Sequence, residues 1–370
     1  MDPFSKGIVV LSLTTLTLLS PRALEDEPRV VSPLLEVGVQ FHAGWTTYSD
    51  AERVEVIDKM AAAGVDWLRI DMGWCSLEPE KGEISSWYVD NLDHAVDTAR
   101  ARGMDILMTL WCTPSWAASR GGPEDVTRAS PPSRTADYRA IAQWAADHWK
   151  GRVAAWEIWN EPDLPAFFGA GPGAYVDLLK AGYTGIKAGD PSAKVVVGGP
   201  VPNDVVWLRS LYKAGAAPYF DIMATHPYSV PGNRPPEMND GTPAGLPPVA
   251  AVKALMKRFD DEEKPIWFTE FGWSTHPNDG DESKWQKGVT REQQADYIAR
   301  SLRYIACERP YVEKAFFYVE RDRPLPPDPD PHNEHVSRFG LLDEDLQPKP
   351  SYNTLTALLT APPVDLCAGA

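Results

Sequence analysis

The sequence has no apolar run of bilayer length after its first twenty residues or so, so no membrane insertion is expected there. It has only 7 histidines and 4 cysteines in 370 residues, and none stands in metal-ligand spacing, so no metal is expected. No G-x-G-x-x-G or P-loop pattern opens a helix, and the pair Gly198-Gly199 is too little for a phosphate cradle. No cofactor is therefore expected. Basic residues are in deficit: 36 Lys and Arg against 52 Asp and Glu leave a net charge of −16. That argues against nucleic acid or an anionic membrane as a partner, although acidity by itself mainly serves solubility. There are no internal repeats.

Other residues are abundant. Hydrophobic residues make up 43% of the chain, enough for a large core. The 14 tryptophans exceed what a core usually needs, and sugar rings stack well on aromatic faces. Lys6 precedes an apolar run over 7–19 that is too short to span a bilayer, which reads as an export leader over 1–23. Ser20-Pro21-Arg22-Ala23 is a loose match to a cleavage site, and Asp2 detracts from a basic start. A charged, Pro-containing lead-in over 24–35 and a tail over 361–370 flank one domain at 36–360. The expected location is secreted or in the cell envelope.

Strand and helix patterns alternate along that domain, which argues for a parallel sheet. Strands are expected at 37–42, 67–74, 106–111, 153–161, 194–199, 220–226, 265–270 and 314–320. Helices are expected near 50–63, 86–102, 136–149, 173–187, 205–214, 249–259, 291–307 and 351–359, with Gly64 stopping the first. Eight such units, in a chain with room for one barrel of about 250 residues plus insertions, point to a (β/α)8 TIM barrel. The loops 113–134, 229–247, 274–289 and 321–338 all follow strands, where such barrels build their clefts.

Two stretches carry the chemistry. Trp156-Glu157-Ile158-Trp159-Asn160-Glu161-Pro162 ends one apolar strand, and Pro162 cannot continue it. Pro265-Ile266-Trp267-Phe268-Thr269-Glu270-Phe271-Gly272-Trp273 ends another, again with a carboxyl at its exit. Asn160 and Glu161 are neighbours, so at least one lies where the strand has already bent. Two carboxyls converging from two strand ends are the equipment of glycoside hydrolysis: one protonates the leaving oxygen, and the other attacks or activates water.

Trp-Asn-Glu-Pro followed about a hundred residues later by Thr-Glu-Phe-Gly resembles the clan A glycoside hydrolases, most of all family 39, with its β-xylosidases and exopolysaccharide endoglycosidases. Leu68-Arg69, Thr113-Pro114-Ser115-Trp116-Ala117, Thr225-His226-Pro227-Tyr228, Phe339-Gly340-Leu341-Leu342-Asp343 and Pro348-Lys349-Pro350-Ser351-Tyr352 extend the resemblance over roughly 36–360. It implies Glu161 as acid/base, Glu270 as nucleophile and retention by double displacement. It also implies that Arg69 and Tyr228 hold Glu270 charged. Asn160 would donate to the sugar 2-hydroxyl. His226 either lines the site or supports it from behind, while His42 and Trp45 stand at a strand outlet, with Trp116 as a further candidate for the cleft. Strand eight carries Tyr318 where the clan usually has a Trp under the sugar, and Tyr318 or Trp273 can substitute. Asp71 and Glu320 are further strand-end acids, and Glu157, inside an apolar run, reads as structural. The expected partner is an oligo- or polysaccharide. A non-catalytic carbohydrate-binding barrel, or a clan member acting on another sugar, is the alternative. Loss of either carboxyl would have favoured the first of these.

The cysteines allow three complete pairings. Cys75 and Cys112 follow neighbouring strands at the top of a barrel, while Cys307 and Cys367 follow neighbouring helices at the bottom. A strand's length, roughly 20 Å, separates the two ends, so only top–top and bottom–bottom bridges are open. The first pair has packed thiols as its alternative.

Overall fold

Parallel strands with buried faces on both sides need near-continuous apolar runs, and these runs occur where the sequence places them. The computed structural model describes residues 29–30, 35–327, 329–361, 363–364 and 367, so the expected leader lies outside the described residues. Eight strands form the barrel: β1 Glu36–Phe41, β2 Trp67–Gly73, β3 Asp105–Trp111, β4 Ala155–Ile158, β5 Lys194–Val197, β6 Met223–Thr225, β7 Ile266–Phe271 and β8 Val312–Phe317. Each pairs in parallel with its neighbours, from β5 back through β1 to β8, β7 and β6. The seam between β5 and β6 closes on the bridge Val196–Ile222. Backbone bonds from Val197 N to Ile222 O (3.1 Å) and from Asp221 N to Val195 O (2.8 Å) reinforce it. Residues 29–30 pair in parallel with 363–364 outside the barrel.

The connecting helices are α1 Asp50–Ala62, α2 Ser86–Ala101, α3 Thr135–His148, α4 Pro172–Gly189, α5 Val205–Lys213, α6 Val249–Lys257, α7 Arg291–Glu308 and α8 Pro350–Thr360. Their starts follow local chemistry. Ser49 with Glu52 and Thr290 with Gln293 form capping boxes at α1 and α7, and Asp204 accepts from Val206 N and Trp207 N at α5. Past the end of α1, Gly64 sits at φ 79°, the left-handed conformation that stops the helix. The strands are shorter than expected, β5 at its end and β4 and β6 at both ends. Short helices at Trp74–Leu77, Glu124–Ala129 and Pro331–Ser337 lie in the loops after strands. They are too brief to show a helical period in sequence.

The bottom of the barrel is filled by aromatic layers. Trp67, Trp267 and Phe316 pack within 6.4 Å of one another, with the Lys314 ammonium 4.4 Å from the Trp67 ring centre. The top is polar, and there the two glutamate motifs meet. Bridges join Cys75 to Cys112, with Cα atoms 5.4 Å apart, and Cys307 to Cys367, at 5.6 Å. Both of the expected pairings are therefore formed. The second spans 60 residues and ties the chain beyond α8 to α7. The chain-entropy model gives about 4 kcal/mol for a loop of that length. Cys307→Ser should lower unfolding free energy by about 2–4 kcal/mol in denaturant titrations under oxidising conditions. A loss of nothing measurable would mean that the tail contributes no constraint.

Candidate active site

Arg69 lies in the middle of β2, 1% exposed, and its guanidinium reaches three other strands. Nε donates to Glu157 Oε2 (2.8 Å), Nη1 to Gln40 Oε1 (2.6 Å) and Glu270 Oε2 (2.9 Å), and Nη2 to Asn160 Oδ1 (2.8 Å). Arg69 has only donors, so the Asn160 atom facing it is the carbonyl oxygen. The Asn160 NH2 is thereby left to donate into the cleft. Glu157 also accepts from the Thr109 (2.9 Å) and Thr269 (2.8 Å) hydroxyls, which is the buried structural role expected of it. Tyr228 OH donates to Glu270 Oε1 at 2.7 Å.

The chain around Glu161 is bent by strained backbone. β4 ends at Ile158, and Trp159 and Glu161 then take φ of 73° and 42°. Side-chain-bearing residues adopt the left-handed region only when their surroundings compel it. Here Trp159 is held by Leu110 O on its N–H (3.0 Å) and by Phe167 O on its indole (2.8 Å). The bend lets Asn160 and Glu161, neighbours in sequence, serve one site. Glu161 Oε1 meets His226 Nδ1 at 2.8 Å, and His226 Nε2 meets Thr269 Oγ1 at 3.1 Å. His226 fits there because residue 199 is a glycine: a Cβ on it would lie 2.7 Å from the imidazole.

This chain of bonds fixes a proton. The Thr269 hydroxyl spends its only hydrogen on Glu157, so it must accept from His226 Nε2–H. Burial pushes the imidazole down to about 4, so His226 is neutral and its Nδ1 is bare. A bare nitrogen 2.8 Å from a carboxyl accepts that carboxyl's proton. Burial likewise pushes Glu161 up to about 8, against the pull of Arg69 and with the repulsion of Glu157. Burial also raises Glu270, but Glu270 accepts from Arg69 and Tyr228. Of the two carboxyls facing the cleft, Glu161 therefore holds the proton and Glu270 the charge.

Glu161, His226 and Glu270 each offer a donor atom within 4.8 Å of the others, the one set among the described residues close enough for a metal. Each is already engaged internally, by His226, Glu161 and Thr269, or Arg69 and Tyr228, and Arg69 supplies the local positive charge.

A cleft of about 710 Å³ opens over these groups. His42, Trp45, Asn160, Glu161, Glu270 and Tyr318 line it. The rings of His42 and Trp45 are stacked at 3.9 Å, and Asp71, also in the wall, holds His42 Nδ1 at 2.5 Å. Arg69, His226 and Tyr228 support the carboxyls from behind. Two placements are corrected. Trp273 is 3% exposed, packs on Phe271 and Tyr297, and donates to Arg234 O (2.8 Å), so it cannot lie under a sugar. Trp116 sits edge-on to Trp74 and donates to Glu78 O (2.9 Å), away from the cleft lining. Glu320 is buried against Tyr48 OH and does not reach the cleft either. Trp111, Phe167, Arg128 and Arg323 line the cleft without having been expected there. Only Trp111, at the exit of β3, had a signal in its position.

The model of the cellulase family, glycosyl hydrolase family 5, matches residues 33–304. A β-xylosidase of Caldicellulosiruptor saccharolyticus is 27% identical over 237 residues, 58% of this chain and 46% of that protein. A probable glucan 1,3-β-glucosidase A of Aspergillus niger is 32% identical over 138 residues, 35% of this chain and 31% of that one. The chain thus spans less than half the length of either relative. A family 39 glycoside hydrolase structure from Bacteroides cellulosilyticus WH2 aligns with TM-score 0.68 and 24% identity, over 91% of this chain and 65% of that one. An exo-β-1,4-mannosidase from Opitutaceae bacterium strain TAV5 aligns with TM-score 0.63 and 20% identity, over 88% and 59%. At these identities the structural likenesses speak for the fold.

Removing Arg69 would strand two buried carboxylates. Arg69→Met should lower stability at pH 7 by about 3–5 kcal/mol, the usual size of a broken buried pair. The deficit should shrink toward pH 5, because stranded carboxylates with raised pKa values take up protons as the pH falls. Denaturant titrations of both proteins at the two pH values measure this. A deficit that grows on acidification would contradict the charge assignment.

Proposed function

Because the chain belongs to the cellulase family, glycosyl hydrolase family 5, we propose that it hydrolyses β-linked glycans with retention of configuration at the anomeric carbon. The observation that carries this reading is the closeness of its two cleft carboxyls, one oxygen of Glu161 lying within 4.8 Å of one oxygen of Glu270. Retaining enzymes hold the pair about 5–5.5 Å apart, whereas inverting enzymes leave about 6.5–9.5 Å for a water molecule.

The steps follow from the protonation assigned above. Glu161 gives its proton to the glycosidic oxygen as that bond to the anomeric carbon breaks. A Glu270 oxygen forms a bond to the same carbon, and the aglycone leaves as an alcohol. Glu161, now ionised, takes a proton from water. The hydroxide oxygen bonds to the anomeric carbon, the ester to Glu270 breaks, and both residues return to their starting states. Asn160 donates to the 2-hydroxyl, a bond that tightens as the ring flattens in the transition state. Tyr318, His42 and Trp45 form the sugar's apolar floor and wall. The substrate is a β-linked oligo- or polysaccharide. All four cysteines are bridged, which supports work in an oxidising compartment, outside the cytosol.

Aryl β-glycosides and β-linked polysaccharides, with product anomers followed by NMR, test the reading. First-formed β-anomers are expected, and first-formed α-anomers would exclude double displacement. Glu270→Ala should abolish turnover, and azide should partly restore it as an α-glycosyl azide, since azide enters from the vacated face. Glu161→Ala should lower kcat/KM by about 10²–10⁴-fold on poor leaving groups and much less on good ones. Equal losses on both would remove Glu161 from the role of acid.

The pH profile carries a sign. The raised pKa of Glu161 keeps it protonated through neutrality, so kcat/KM should hold to pH 7 and fall as pH rises through about 8. A fall centred near pH 5 would place the essential proton elsewhere.

A further inference from the structure

Outside the cleft, across the wall formed by the loop from β1 to α1, lies a second groove of about 410 Å³. Its position is fixed by a buried arginine. Arg53 of α1 donates from Nε to Ala43 O (2.8 Å) and from Nη2 to Trp45 O (3.0 Å), so the wall is pinned to the helix beneath it. Thr46, at the crest of the wall, lines the groove and the cleft alike. The far bank is the first half of α2, where Trp87, Asp90, Asn91 and His94 stand at helical spacing on one stripe. The next residue after Trp87, Tyr88, lines the cleft. One helical turn therefore addresses both cavities.

Trp87 is 54% exposed, and no other aromatic residue among those described is as open to solvent. A lone exposed apolar side chain is ordinary on any surface. An exposed indole set in a polar groove, bordered by carboxylate, amide and imidazole groups and divided from the cleft only by the wall at Thr46, is equipped for a particular ligand. Its ring face suits the C–H face of a pyranose, and its neighbours suit the hydroxyls around the ring edge.

We propose that this groove is a second carbohydrate site. It holds the part of a β-linked glycan that runs out of the cleft over Thr46, with Trp87 as the stacking platform and Asp90, Asn91 and His94 as hydrogen-bonding partners. The proposal rests on the glycosidase reading for its ligand class. It adds that the enzyme engages a chain longer than the cleft itself contains, which favours polymer over short oligosaccharide.

Affinity gels cast with β-1,4-xylan, β-1,4-mannan or mixed-linkage β-glucan separate the two ideas, because they need no turnover. Run as the inactive Glu270→Gln chain, the protein should be retarded in at least one gel. Trp87→Ala added to that background should abolish most of the retardation, and Trp87→Phe should restore it. In the active enzyme, Trp87→Ala should raise KM on the retarding polymer by about 3–10-fold, the scale of one aromatic contact, and leave kcat/KM on an aryl glycoside unchanged. Equal retardation with and without Trp87, or no retardation in any gel, overturns the site. A parallel loss on the aryl glycoside also overturns it, since the effect would then arise in the cleft. If the protein is retarded through Trp87 but cleaves nothing, the groove stands and the hydrolase reading fails.

Discussion

One guanidinium, buried in the barrel's upper interior, sets the terms for everything around it. A cation out of water is tolerated only when its donors are matched by acceptors and its charge by anions. Arg69 meets both conditions by drawing Gln40 from β1, Glu157 from β4 and Glu270 from β7 to its rim, and Asn160 from the bend after β4. Three carboxyls then share one permanent positive charge. With all three ionised, the cluster would carry two uncompensated negative charges in a nearly dry space. Protonation of one of them halves that excess, and the bonding pattern selects Glu161. Crowding of charge inside the barrel thus leaves one cleft carboxyl protonated and the other ionised.

The same economy explains the strained turn. A regular strand would send Asn160 and Glu161 to opposite faces. The left-handed residues Trp159 and Glu161 break that alternation, and the bonds to Leu110 and Phe167 hold the break in place. Local backbone strain is balanced by packing elsewhere, and what it yields is two polar groups, adjacent in the chain, that line one cleft.

Sequence made the frame legible because the strands are apolar runs and the helices have a period, four of the eight connecting helices also starting on a side-chain cap, as at Ser49 and Thr290. The paired glutamates were legible through their motifs, and the cysteine pairing through the two ends of a barrel. The aromatics were only partly so. Trp273 and Trp45 look alike in sequence, each just past a strand, but the indole of Trp273 finds Arg234 O inside the core while Trp45 stacks on His42 at the cleft. Which way a residue faces beyond a strand end is decided by loop packing, which has no period to read. Loop residues such as Arg323 and Phe167 were invisible for the same reason. Gly199 shows the converse case: its purpose lies wholly in the imidazole placed against it.

The run of hydrogen bonds goes from Arg69 through Glu157 and Thr269 to His226 and Glu161, and its members come from β2, β4 and β7 and from the chain beyond β4 and β6. Because Glu157, Thr269 and His226 each serve two neighbours, none of the three can drift without stranding a buried group. The loops at 113–134, 229–247, 274–289 and 321–338 hold bonds of their own, such as those of Ser274 to His276 Nδ1 (2.9 Å) and His335 O (2.6 Å), but these lie outside the run. Change over generations is therefore channelled: the buried run is held fixed by the physics of its shared bonds, while the loops around the cleft are freer to vary.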